Sequence, residues 1–523
     1  MKRLRGDVAI IGGGLGACAA AIAAARHGRR VILTEETHWV GGQLTNQAVP
    51  PDEHPWIEDF GATSSYRQLR EHIRQHYRAH LPLTPQAHAN GLLNPGNGWV
   101  SRLCHDPRVA IAALRQMMLP HEVSGRLFVL ESQRLMSAGV HRDRIVEVAV
   151  ESLESGRRAL IEAPFFIDAT PYGDLLELAG VEHVLGAESR TDTGEPHAPD
   201  AHDPRDQQAI TVCFALEYLE GEDHTIDEPE QYERWRDWRP PGWPGPLLGW
   251  TTVRPETHEP LRRGLFEAED DRPWWRFRRI LDASNFAPGF VRSDISVINW
   301  PQNDYWFGPL VGVGAAERAR NLEAARQLSL SLLYWLQTEA PHHADDGIGY
   351  PGLRLRGDVV GGTPDGLAPA PYVRESRRLR AEFTVLEQHI AHPLRRDGPE
   401  LFKDSVGIGC YRIDLHPRTS GRGYLDLGCW PFQIPLGAMI PVRIENLLPG
   451  GKNLGVTHIT NGAYRVHPVE WNVGEVAGLL AMFCLERGQS PRAVRNQPGL
   501  LEDFQALLRR EGIELSWPRL TPV

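Results

Sequence analysis

Cysteine is scarce in this sequence: six residues in 523, at positions 18, 104, 213, 410, 429 and 484, with no C-x-x-C pair. That argues against a disulfide scaffold, a zinc ribbon or an iron–sulfur centre, and it fits a reducing cytoplasm. No metal site is expected. Long apolar runs are missing as well. Nowhere do eighteen apolar residues follow one another, so no membrane span is expected. Positive charge is not in excess either: 56 basic against 67 acidic side chains leave a net charge of −11. This balance disfavours broad, phosphate-driven nucleic-acid binding. The opening Met1-Lys2-Arg3-Leu4-Arg5 is basic in the manner of a leader, but Asp7 and the glycines after it interrupt any apolar targeting core. A strand and turn is the better reading there.

What is present is an ordinary globular balance of 41% apolar and 24% charged residues, over a length that suits two or three domains. The first informative stretch is Asp7-Val8-Ala9-Ile10-Ile11, a short apolar run suited to a buried parallel strand. Gly12-Gly13-Gly14-Leu15-Gly16-Ala17 follows at once and matches G-x-G-x-x-A. Gly12 permits the tight turn, Gly14 lets backbone approach a pyrophosphate, and Ala17 allows close helix–strand packing. The small-residue stretch from Cys18 to Ala25 then predicts a helix whose N-terminal dipole and free N–H groups favour phosphate. A second strand, Arg30 to Thr34, ends at Glu35, whose carboxylate can accept from ribose hydroxyls and would repel a 2′-phosphate. The order strand, glycines, helix, strand, acid reads as a dinucleotide site. It does not by itself separate a nicotinamide from a flavin dinucleotide, but Gly41-Gly42-Gln43 adds a second glycine pair able to fold back over the pyrophosphate.

Further anchors lie along the chain: Trp39 to Thr45, Phe166-Ile167-Asp168-Ala169-Thr170, Tyr372 to Arg378, Asn446 to Asn453, and Arg465-Val466-His467-Pro468. In this order and spacing the sequence resembles the bacterial FAD-dependent oxidoreductase family with a glutathione-reductase/fumarate-reductase type of FAD domain. The resemblance spans nearly the whole chain. It implies an α/β fold: a Rossmann-type FAD-binding domain with an inserted β meander, and a second, α+β substrate domain. The cofactor it implies is FAD. It departs from the commoner A-T-G-x-G-D form after Thr170, reading Pro171-Tyr172-Gly173-Asp174. The expected organisation is a first FAD-binding part at 1–185, a substrate or cap domain at 186–366, a return to the FAD domain at 367–490, and a helical extension at 491–523. By the resemblance, Leu127–Leu130 and Arg144–Val150, both strand-like, form the meander.

Within 186–366, eight of the fifteen tryptophans fall between Trp235 and Trp306. They could line a ligand pocket or pack against neighbouring structure. Ala316–Leu336 has helical periodicity and reads as a structural helix. Tyr372–Arg380 is expected to be helical through Phe383, with a Glu375–Arg378 ion pair and with Arg374 and Arg377 on one face. Pro468 suits the first turn of a helix that stops at Gly488. In the resembled family this helix points its N-terminus at the flavin pyrimidine edge, where it would stabilise negative charge. The expected cofactor contacts are Gly12, Gly14, Ala17, Glu35, Gly42, Gln43, Asp174, Gly451, Asn453, Pro468 and Asn472. His467 is the first candidate for a general base, followed by His458 and Arg465.

The expected function is oxidation of a small organic molecule, with polyhydroxylated compounds one candidate class, by hydride transfer to flavin N5. One alternative is a flavin-dependent reductase or monooxygenase using NAD(P)H, although no second G-x-G-x-x-G follows a strand. Another is a non-redox FAD protein: a hydratase, an isomerase or an RNA-modification factor. The expected partner is a small-molecule substrate, with no nucleic acid and no membrane; the oligomeric state is not readable.

Overall fold

A computed structural model describes residues 2–268, 270–343 and 346–523. The chain opens with β1 (Lys2–Arg5), turns at Gly6 and enters β2 (Val8–Ile11), α1 (Leu15–Arg26), β3 (Val31–Thr34) and β4 (Leu127–Leu130). Three antiparallel strands follow, β5 (Gln133–His141), β6 (Arg144–Ser152) and β7 (Arg158–Glu162), before β8 (Phe165–Asp168). The last strand of the main sheet, β9 (Leu447–Pro449), comes nearly 300 residues later. The main sheet has the order β9-β8-β2-β3-β4 and every pair in it is parallel.

Continuous apolar runs are what such a sheet requires, because both of its faces are covered. Alternate residues show how. Val8, Ile10, Val31 and Ile167 join the core on the helical face, while Ala9, Ile11, Ile32 and Phe166 pack with Ile145, Val148, Val150 and Ile161 of the meander. The meander is therefore β5–β7 with β1 paired parallel to β7. Leu127–Leu130 is not part of it, a correction to the resemblance-based expectation: it pairs parallel with β3 at the edge of the main sheet. The helix Pro107–Val123 before it supplies the crossover that a parallel neighbour needs.

A second core is built from the inserted region. Strands Arg279–Leu281, Ile295–Ile298, Phe214–Tyr218 and Leu353–Leu355 form an antiparallel sheet. Alongside runs α2 (Ala315–Thr338), which buries Ala325, Leu328, Leu332 and Trp335 as its periodicity predicts, with Leu322 only partly buried. Trp235, Trp250, Trp274, Trp275, Trp300 and Trp306 are all in this core. Most of the tryptophan cluster thus fills the interior of its own region; Trp243 is half-buried against it, and Trp238 is exposed.

Tyr372–Arg380 is not helical. Tyr372–Val373 pairs with Ile210–Thr211 and Arg378–Leu379 with His183–Val184, leaving an extended segment between. The Glu375–Arg378 pair exists, but Arg374 and Arg377 diverge, the first to Asp304 and the second to Asp174. Long-range ion pairing outweighs helix propensity here. The chain then forms α3 (His458–Tyr464) and α4 (His467–Arg487), which ends at Gly488 in the left-handed conformation. Helices Pro491–Asn496 and Pro498–Arg510 follow, and Phe504 and Leu508 anchor the second of them to the main core. All six cysteines are buried free thiols. No described helix is long and apolar enough to cross a membrane, and no described group of acidic, histidine and cysteine side chains has the geometry of a metal site.

Candidate active site

The glycine unit builds a phosphate cradle at the end of β2. Gly12 has φ +89°, and a Cβ there would fall 2.5 Å from the backbone of Ala169 and Thr170. α1 starts just after Gly14, which has no side chain of its own to cap it, so its first N–H groups face the cradle. The second glycine pair closes over this turn: Gly41 N–H donates to Gly13 O (2.7 Å), and a Cβ on Gly42 would meet Gly14 Cα at 2.9 Å. Ala17, the third small position, is fully buried within α1.

Glu35 arrives from β3 with most of its acceptor capacity used. Oε1 accepts from Thr37 N–H (2.8 Å), Thr37 Oγ1 (2.7 Å) and Asn46 Nδ2 (3.2 Å), and Oε2 accepts from Gly13 N–H (2.8 Å). One lone pair on Oε2 is left for a ribose hydroxyl. Burial pushes its pKa up, against these hydrogen bonds. Gln43 Oε1, Asn46 Oδ1 and Gln47 Oε1 are buried without partners, and all three residues line the cavity beside the cradle. Orphaned acceptors at this point suit the hydroxyls of a dinucleotide's sugar parts. Lys452 lines the same cavity from the loop after β9, its pKa lowered by burial. This half-buried lysine was not singled out in the sequence, although Gly-Gly-Lys after a strand was a visible signal. The residues present therefore fit a dinucleotide.

The other expected contacts divide. Gly451 and Asn453 line the cavity, and Asn453 Nδ2 donates to Asp168 O (2.9 Å), tying the loop to the end of β8. Pro468 occupies the first turn of α4. Asp174 instead faces Arg377 (3.2 Å), and Asn472 Oδ1 accepts from Ile408 N–H (3.3 Å). Neither is among the residues lining the cavity.

His467 is fully buried, with both ring nitrogens engaged by backbone. Nδ1 accepts from Asp52 N–H (3.0 Å), and Nε2 donates to Val49 O (3.2 Å). Burial lowers its pKa to about 4. It thus clamps the segment 49–52 onto α4 and has no free nitrogen. A histidine held neutral stabilises the fold fully above pH 6.5 and loses that contribution as pH falls to about 4, a loss of about 3 kcal/mol. Thermal melts across this range should therefore fall less steeply for His467→Gln than for the wild type.

His458 sits at the N-terminus of α3. Its Nδ1 lies 2.9 Å from Glu375 Oε2, and its buried Nε2 has no partner. Glu375 is held below the usual carboxylate range by His458 and Arg378, which outweigh burial. Gln208 N–H also reaches Glu375 (3.3 Å), and both amide atoms of Gln208 are orphaned.

Arg465 joins the cradle to a second polar group. Its carbonyl accepts from Gln43 Nε2 (3.2 Å), while its guanidinium donates to Tyr372 OH (2.7 Å) and Asp414 Oδ2 (2.8 Å). Beside Asp414, His416 places Nδ1 2.5 Å from Asp304 Oδ2, and Asp304 Oδ1 accepts from Arg374 Nη2 (3.0 Å). Arg374 and His416 hold the Asp304 carboxyl below its usual range despite complete burial. His416 Nε2 is 3.6 Å from Asp414, beyond hydrogen-bond reach, and a fifth of the side chain is exposed. Asp304, Tyr372, Asp414 and His416 were not candidates in the sequence. The alternation Ile413-Asp414-Leu415-His416, buried apolar residues against polar ones, was the signal that could have found two of them.

A sequence model described as FAD dependent oxidoreductase matches residues 7–508. No curated protein matches the chain. Among solved structures, the chain is similar to the myxobacterial chondrochloren halogenase CndH, at 13% identity over 97% of this chain and 80% of that one, with a TM-score of 0.33. It is similar to a geranylgeranyl bacteriochlorophyll reductase-like protein from Thermoplasma acidophilum at 10% identity, over 98% and 85% of the two chains, with a TM-score of 0.34. It also matches Mycobacterium smegmatis Sdh1 in complex with UQ1 at 12% identity over 32% of this chain, with a TM-score of 0.24, and spans only 34% of that protein's length.

Proposed function

The chain belongs to the FAD dependent oxidoreductase family, and from that premise we propose that it oxidises a small, hydroxyl-bearing organic substrate, with His416 taking up the hydroxyl proton. Bound FAD supplies the acceptor, at N5, for the hydride that leaves the substrate carbon. The observation that carries this reading is the Asp304–His416 pair. A carboxylate accepting from Nδ1–H leaves Nε2 as a lone-pair acceptor, the orientation a general base needs. Arg465 connects this pair, through Asp414, to the main chain against Gln43 of the cradle.

The chain's residues divide the remaining work. Gly12, Gly14 and Gly42 admit the pyrophosphate, Glu35 offers one lone pair to the ribose, and Lys452 brings positive charge. The α4 N-terminus, opened by Pro468 and fixed by the His467 clamp, would offer its free N–H groups to the flavin, as the family resemblance implies. Around Glu375, Gln208, His458 Nε2, Arg418 Nε and Asn461 Oδ1 offer buried polar atoms without partners. A hydroxyl-rich molecule would satisfy such a set, and this favours a polyhydroxylated substrate over an apolar one.

The test is anaerobic. A sugar, polyol or related alcohol from a broad panel should bleach the oxidised flavin spectrum of the holoenzyme. If NADPH bleaches it and no alcohol, amine or sugar does, the oxidase or dehydrogenase reading falls and a reductase or monooxygenase takes its place.

A further inference from the structure

The cradle already contains a carboxyl group of the protein's own. Glu470, in the first turn of α4, reaches across to the start of α1, where its Oε1 lies 3.4 Å from Gly16 N–H. A Cβ added to Gly14 would fall 3.0 Å from that oxygen, and one added to Gly451 would fall 3.0 Å from Glu470 Cγ. The other oxygen accepts from Gln43 Nε2. The carboxylate thus uses the helix end and the glycine edges that a pyrophosphate would use. With it there, the cavity between the loops measures about 30 Å³, room for a single water.

We propose that Glu470 is a resident anion that the FAD pyrophosphate displaces, so that loading the cofactor is coupled to uptake of a proton by Glu470. This rests on the FAD assignment and concerns how the same site is filled. The charged and titratable groups around the carboxylate are few. Lys452 faces it from the loop after β9, Arg465 precedes α4, and Cys18 and Glu35 lie on the far side of the glycine turn. One lysine is the nearest compensating charge for a carboxylate and a pyrophosphate together. Burial already favours the neutral acid of Glu470, against the opposing pull of Lys452. Protonation removes the like-charge conflict with no backbone movement.

The experiment is calorimetric titration of the full-length apoprotein with FAD near pH 8, in buffers of differing ionisation enthalpy. The wild type should take up about one proton per FAD bound. Glu470→Gln should take up none and bind FAD roughly tenfold tighter or more, since the amide carries no charge to displace. Glu470→Ala, with the side chain removed, should behave likewise and guards against a local effect of the amide. FAD binding without proton uptake in the wild type, or uptake that persists in both variants because Lys452 takes the proton, overturns the inference while leaving the FAD assignment standing. A wild type that binds no FAD overturns both.

Discussion

Gly474→Ala should give a protein that no longer retains FAD and that melts many degrees below the wild type. α1 and α4 cross with their backbones in contact, and Gly474 lies at the crossing. A Cβ there would fall 1.9 Å from Gly16 O and 2.5 Å from Gly16 Cα. The opposing residue is equally constrained, since a Cβ on Gly16 would meet Gly450 O at 1.9 Å and Glu470 O at 2.7 Å. All of these neighbours are main chain, so no rotamer change can relieve the overlap. The helices must separate by more than an ångström, which opens the cradle at the point where pyrophosphate has to be gripped. Overpacking of this kind costs about 3 kcal/mol or more. The readouts are the flavin-to-protein absorbance ratio of the purified enzyme and its Tm. Gly499→Ala is the control, because a Cβ there meets nothing within 4 Å, and it lies in a helix where alanine is favoured. It should leave flavin content unchanged and stability unchanged or slightly raised.

The FAD half of the molecule was legible because its signals are local. β2, the glycines, α1, β3 and Glu35 occupy one continuous stretch, and each step has its own physical requirement. The span from Pro468 to Gly488 was readable for the same reason, with a proline for the first turn and a glycine for the left-handed stop. Two local readings failed where distant partners decided the outcome. Leu127–Leu130 has a strand pattern that suits either sheet, and only the crossover helix before it and its pairing with β3 settle the matter. Tyr372–Arg380 has helix-forming composition, yet Arg374 is bound to Asp304 and Arg378 to Glu188. The extended path is what lets both arginines reach these carboxylates. The tryptophans misled in a third way. Their density suggested a pocket or packing against neighbouring structure rather than a core of their own, and composition does not say which side of a sheet a side chain faces.

The proposed catalytic side was the least legible, because its parts meet only in three dimensions. Asp304, Tyr372, Asp414–His416 and Arg465 come from four segments of the chain. His467 drew attention through its place beside the helix start. The structure gives that place a mechanical use: both nitrogens hold backbone, and the neighbouring Arg465 carries the connection toward Asp414. The 22 histidines of the sequence therefore separate by what holds Nδ1 and what is left to Nε2.

That criterion leads to the second large effect. His416→Asn should lower kcat by about 10²- to 10⁴-fold, the usual contribution of a positioned general base, while flavin content and Tm stay close to the wild type. Stability should be spared because His416 is partly exposed and the Asp304 carboxylate keeps its bond to Arg374 and its contact with Thr211. A solvent deuterium isotope effect separates proton transfer from mere support. It should be present on kcat/KM in the wild type and absent in His416→Asn. His458→Asn is the companion variant. His458 is also held by a carboxylate, but it is buried to 2% exposure and lacks the Arg465 connection, so its loss should raise KM more than it lowers kcat. If His458→Asn removes the isotope effect and His416→Asn leaves it intact, the proton acceptor is His458 and the Asp304–His416 pair is structural.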